Sequence, residues 1–127
     1  MKKYKYTNDP EEYYQNGLRK YEYKDFSGAV SDFSLAIKYN DNFPEAYFLR
    51  GLVYGKEMHK YRKAIKDFTK AIKLKSDYAD AYFNRGVTHR ILDDIKRACS
   101  DWKKAEELGF ESAADLNKRY CLKYMKN

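Results

Sequence analysis

The sequence has little proline and glycine, 2 and 6 in 127 residues, which excludes collagen-like, low-complexity and loop-dominated architectures and favours long regular elements. It has no long hydrophobic run: the apolar stretches are a few residues each, far short of the roughly 20 that cross a bilayer. The opening Met1-Lys2-Lys3-Tyr4-Lys5-Tyr6 also lacks the apolar segment of a secretory signal. No membrane span and a cytoplasmic location are therefore expected. Cys99 and Cys121 are too few for a disulfide framework or a zinc quartet and form no C-x-x-C motif, so buried reduced thiols are expected. Catalytic signatures are missing as well: there is no glycine-rich phosphate loop, no H-E-x-x-H and no G-x-S-x-G. A His89–cysteine pair as base and nucleophile is outweighed by a packing role for His89. The expectation is a non-enzyme with no cofactor and no metal.

The chain does have 43% hydrophobic and 35% charged residues, 14 tyrosines and a formal net charge of +7. That composition suits a folded helical domain, and its length suits one domain. The positive charge speaks to association, not to fold. More informative is an internal repeat. Gly17, Gly51 and Gly86 recur at separations of 34 and 35 residues, and Ala29/Ala64/Ala98 and Ala36/Ala71/Ala105 recur at 35 and 34. Phe33/Phe68/Trp102 and Tyr13/Tyr47/Tyr82 keep the same register. The one extra residue must fall between Gly51 and Ala64, and the turn around Met58-His59-Lys60 is the expected place.

Within a unit, Tyr47, Gly51 and Tyr54, and then Ala64, Phe68, Ala71 and Leu74, stand at helical spacing. Each unit reads as two amphipathic helices in which a small residue lets the partner's aromatic ring reach backbone. The predicted pairs are 11–24 with 26–39, 45–58 with 61–74, and 79–92 with 95–108, followed by a closing helix over 112–124. Pro44-Glu45 suits a first turn, and Gly109 reads as a helix stop before an N-cap at Ser112. The expected organisation is an extension (1–9), three units (10–43, 44–78, 79–111) and a C-terminal cap with its tail (112–127). A helix pair cannot bury its apolar face alone; stacked pairs can, provided the open end is capped. The first unit lacks such a cap, so an exposed apolar edge there would permit weak self-association into a homo-oligomer.

A charge register accompanies the repeat. Asp32 precedes Arg50, Asp67 precedes Arg85, and Asp101 precedes Arg119, each by 18 residues. The spacing predicts partly shielded Asp–Arg pairs that key each unit to the next and the last unit to the cap. The first unit has Asn16 at the arginine's place, as a unit without a predecessor would.

Tyr47-x3-Gly51-x2-Tyr54 with Ala64, Phe68 and Ala71, repeated over about residues 11–110, resembles the tetratricopeptide repeat. Lys20 and His89 replace the second tyrosine, and Asp41, Ser76 and Phe110 stand where that family often has a proline. The resemblance implies an all-α, right-handed α-solenoid whose inner groove, lined by the first helix of each pair, binds a protein or peptide segment without catalysis. Carried over position by position, the groove residues are Tyr14, Leu18 and Tyr21, then Phe48, Leu52 and Lys56, then Phe83, Asn84, Val87 and Arg90. Their aromatic and arginine content suits an interface. Repeats of this family that grip a C-terminal carboxylate carry lysine, asparagine and arginine where Tyr14, Leu18, Phe48 and Asp80 stand here, which disfavours that ligand. The second reading is a nucleic-acid or anionic-surface binder using basic faces such as Lys63, Lys66, Lys70 and Lys73. No recognisable nucleic-acid module accompanies that stripe, so it is ranked as the solvated face of a helix.

Overall fold

The computed structural model describes residues 7–124. Residues 1–6 of the predicted extension and the last three of the predicted tail lie outside them. Seven α-helices follow one another: α1 (Pro10–Glu22), α2 (Phe26–Tyr39), α3 (Pro44–Leu52), α4 (Tyr61–Leu74), α5 (Ala79–Ile91), α6 (Ile95–Glu107) and α7 (Ser112–Tyr120), with a short 3-10 turn at Leu122–Tyr124. No strand occurs among the described residues.

Helix starts follow from local chemistry. Asp9, Asp25 and Asp94 each accept a hydrogen bond from a first-turn backbone N–H, those of Glu11, Gly28 and Arg97, at 3.0, 3.0 and 3.2 Å. This satisfies donors that a helix otherwise leaves orphaned. Pro10 and Pro44 occupy first-turn positions where a missing N–H costs nothing. Gly109, at φ +92, ends α6 in the left-handed conformation that only glycine adopts without penalty. Ser112 is the first residue of α7 rather than its N-cap, which is Glu111.

Within each pair the small residue meets the large one. A Cβ built on Gly17 would lie 2.6 Å from Phe33, and one on Gly51 would lie 2.8 Å from Phe68. Phe33, Phe68 and Trp102 are at most 1% exposed and, at roughly 1.5–3 kcal/mol for a fully buried large apolar side chain, anchor three linked cores. Val53 sits in the core of the first pair, so the second pair completes the first.

The extra residue lies one helical turn earlier than expected. It is absorbed inside a helix, where Val53–Glu57 widen into a π turn and the Met58 N–H donates to the Val53 carbonyl at 3.0 Å. The following turn is regular, because His59, like Lys24 and Asp93 in the other two units, takes a positive φ.

The inner units bury Ala46 and Ala81, and Val53 and Thr88. The matching positions of α1 hold Glu12 and Arg19, both exposed. At these two positions the first unit thus carries charged side chains where the inner units carry buried ones. At the C-terminal end α7 covers α6, with Ala113 and Cys121 fully buried. The buried Asn117 donates from Nδ2 to the Trp102 carbonyl at 3.1 Å and to Glu106 Oε1 at 2.8 Å. Contrary to the expectation of free thiols, Cys99 and Cys121 are joined in a disulfide. Their Cα atoms lie 5.5 Å apart because the end of α7 returns across the middle of α6.

Candidate functional site: a concave groove beside the π turn

The arginines of the charge register pair differently from the expectation. Arg50 donates from Nε and Nη2 to the two carboxylate oxygens of Asp67, both at 2.8 Å, within its own unit. Arg85 does the same to Asp101 at 2.9 and 2.7 Å. The proposed pairs Asp32–Arg50, Asp67–Arg85 and Asp101–Arg119 are therefore corrected. Asp32 is held instead by Lys20 at 2.9 Å, and Arg119 stands over the Tyr120 ring at 6.0 Å. Neighbouring units are still bridged, but by hydroxyls: Nη1 of Arg50 donates to Ser34 Oγ at 3.0 Å, and Nη1 of Arg85 to Thr69 Oγ1 at 3.2 Å. Burial works against the Arg50 cation, but its hydrogen bonds and attraction to Asp67 outweigh that and hold its pKa above the ordinary value.

This two-toothed geometry locks the first helix of a unit against its second, so the opposite faces of α3 and α5 stand at a set spacing. Between them opens a hollow of about 380 Å³. Leu52, Lys56, Phe83, Asn84 and Val87, all expected from the sequence, line it together. Gly55, His59, Phe68, Thr88 and Ile91 also line it and were not expected. Ile91, 52% exposed at its edge, is the clearest omission. The signal was available as an apolar residue at the end of a first helix, on the side away from the core.

The remaining groove candidates are spread along the solenoid. Tyr14 packs on Phe43, centroids 4.9 Å apart, and on Phe33 at 5.9 Å. Burial, with Glu45 and Glu11 nearby, pushes its phenol pKa up. Leu18 packs beside it in the first core. Tyr21 donates to Glu57 Oε1 at 3.0 Å and lines a separate shallow hollow with Phe26. Phe48, only 7% exposed, is turned into the core against Phe68 and Tyr78. Arg90 is exposed but engaged: its guanidinium lies 4.4 Å from the Tyr120 ring centroid, and Nη2 donates to the Tyr120 hydroxyl at 3.0 Å. Asn84 donates from Nδ2 to the Asp80 carbonyl at 2.8 Å, one turn back in the same helix. On the other face, Lys63 and Lys70 of the basic stripe lie over the Tyr54 and Tyr47 rings at 5.4 and 6.0 Å.

Helix pairs stacked through glycine–aromatic contacts, with first helices flanking an open groove, define a helical-repeat solenoid. A TPR-repeat family model matches residues 56–90. Among solved structures, the TPR domain of Arabidopsis OM64 is similar at 27% identity, over 90% of this chain and 97% of that one, with a TM-score of 0.84. MamA is similar at 28% identity over 84% of this chain and 62% of that one, with a TM-score of 0.78. The first TPR of Spaghetti (RPAP3), in a structure bound to the HSP90 peptide SRMEEVD, shares the fold at 21% identity, over 89% and 91% of the two chains, with a TM-score of 0.81. No curated protein sequence matches the chain. The fold is that of these TPR domains, an all-α solenoid of three helix pairs closed by α7.

Proposed function

We propose that the protein is a non-catalytic interaction module that holds a segment of a partner protein in the groove between α3 and α5. The observation that carries this reading is the hollow of about 380 Å³ lined by Leu52, Phe83 and Val87 with Ile91 exposed at its edge. An apolar, concave and largely preformed surface is where a partner side chain gains most from leaving water. The RPAP3 repeat with its bound peptide supports a peptide-sized ligand for this fold. Selection from a displayed random-peptide library, followed by chemical-shift mapping of a selected peptide, tests the reading. Shifts should cluster on Leu52, Lys56, Val87 and Ile91, and Ile91→Glu should abolish them. Shifts confined to the outer face of α4 would overturn it.

The anionic-surface reading rests on Lys63, Lys66, Lys70 and Lys73. It is weakened by the packing role that tyrosine rings give to Lys63 and Lys70. Counterion release would make such binding collapse steeply with salt, whereas groove binding should change little. As for location, no helix among the described residues is long and apolar enough to cross a membrane. A cytoplasmic setting would keep Cys99 and Cys121 reduced, whereas their disulfide suits an oxidising compartment. Alkylation of the cysteines in freshly lysed cells distinguishes the two.

A further inference from the structure

The π turn is the one place where the three units differ in length inside a helix. Gly17 to Lys24 and Gly86 to Asp93 each span seven steps, but Gly51 to His59 spans eight. Insertions of this kind cost hydrogen-bond geometry and often lie at functional sites. Here the inserted residue moves Gly55 against α4, where an added Cβ would stand 3.1 Å from the Ala64 Cβ, and brings Lys56 to the rim of the hollow. The floor is Leu52, Phe68, Phe83 and Val87. No Asp or Glu lines the hollow, and Glu57, next in sequence to Lys56, is bound to the Tyr21 hydroxyl. Lys56 is exposed.

The volume lies near the lower end of the range of about 300–1,000 Å³ for ligand pockets. That is room for one or two side chains. We propose that the π turn builds a selective pocket for one bulky apolar side chain of the bound segment, with an acidic residue beside it meeting Lys56. The apolar floor drives burial, and the cationic rim, with no carboxylate lining the hollow, decides what flanks the anchor. The inference rests on the groove reading above and adds which chemistry the groove selects.

A random-peptide library displayed on phage is the probe, selected in parallel on the wild-type protein, Lys56→Glu and Val87→Trp, each first checked for folding by circular dichroism. Wild type should enrich peptides that carry Phe, Leu, Ile or Met with Asp or Glu within two positions. Lys56→Glu, a change on an exposed side chain, should reverse the flanking preference to Lys or Arg by about fivefold or more, the effect of roughly 1 kcal/mol per pair. Val87→Trp, which fills the floor, should lose the apolar anchor. Peptides that bind wild type and map to the groove, yet keep the same flanking preference on Lys56→Glu, overturn the inference and leave the groove reading standing. If wild type enriches no peptide, or only peptides that map elsewhere, both fail. Should Val87→Trp not fold, the Lys56→Glu result decides alone.

Discussion

Arg50 clasps Asp67 of its own helix pair through two parallel hydrogen bonds of 2.8 Å, while its third nitrogen reaches the Ser34 hydroxyl of the preceding pair. The guanidinium is thus both a lock within a unit and a strut between units. The Asp67 side chain is 6% exposed and that of Arg50 20%, so loss of either leaves a poorly solvated charge. Asp67→Ala should cost about 3 kcal/mol. Asp32→Ala should cost about 1 kcal/mol or less, because the Lys20 side chain it frees is 44% exposed and can return to water. A double-mutant cycle by urea denaturation should find coupling between Arg50 and Asp67 and none between Arg50 and Asp32.

Gly86 meets its aromatic partner as closely as Gly17 does. A Cβ there would stand 2.6 Å from Trp102 Nε1, 2.7 Å from Cδ1 and 3.1 Å from the Ala98 carbonyl oxygen. The indole cannot retreat without losing its hydrogen bond to the Phe83 carbonyl, now 3.3 Å. Alanine in an exposed helix gains up to about 1 kcal/mol over glycine, yet Gly86→Ala should destabilise by about 1–3 kcal/mol through overpacking. Trp102 is the only tryptophan, so its fluorescence should report the shift directly. An unchanged emission maximum with raised stability would contradict the packing account.

His89 stands where the second unit has Tyr54. Burial holds its pKa below the usual histidine value of about 6.5, although Asp101 at 3.9 Å pulls the other way, as does Asp94, while Arg85 and Arg97 oppose the charge. The folded state then binds this proton less readily than the unfolded chain. Its stabilising contribution is complete above about pH 6.5 and is lost as pH falls through the folded-state value. Thermal denaturation between pH 5 and 7 should show stability falling on acidification, and His89→Tyr should flatten that slope. Equal slopes for the two proteins would assign the effect to other groups.

The disulfide ties α7 to α6 across a separation of 22 residues. Closing a loop of that size removes entropy worth about 3 kcal/mol from the unfolded chain, or roughly 10 °C in melting temperature for a domain of this size. Reduction, or the Cys99→Ala/Cys121→Ala variant, should therefore lower the melting temperature by about that amount. Hydrogen exchange should accelerate first in α7, the terminal element of the stack. Intact mass after alkylation checks the state of the cysteines in each sample.

Much of this was legible in the sequence. Gly17, Gly51 and Gly86 together with Phe33, Phe68 and Trp102 determined the number of helix pairs and the faces they share, because close approach at glycine and a buried ring are local demands repeated at a set period. The first turn at Pro44 and the stop at Gly109 were read from the sequence, whereas the caps at Asp9, Asp25 and Asp94 were seen only in the structure. The groove candidates Leu52, Lys56, Phe83, Asn84 and Val87 came from the family resemblance, carried over position by position, and the fold brings these five together around one hollow.

Three things only the tertiary structure decided. A repeat of 34–35 residues with an acid 18 before each arginine necessarily places another acid 16 or 17 after it, so spacing cannot choose between them; the way each helix pair folds back on itself chose the acid of the same unit. An inserted residue between Gly51 and Ala64 is equally compatible with a longer turn and a wider helix, and the packing of Gly55 on Ala64 placed it in the helix. Cys99 and Cys121 are far apart in sequence and on different helices, and only the docking of α7 across α6 brings their sulfurs within bonding distance.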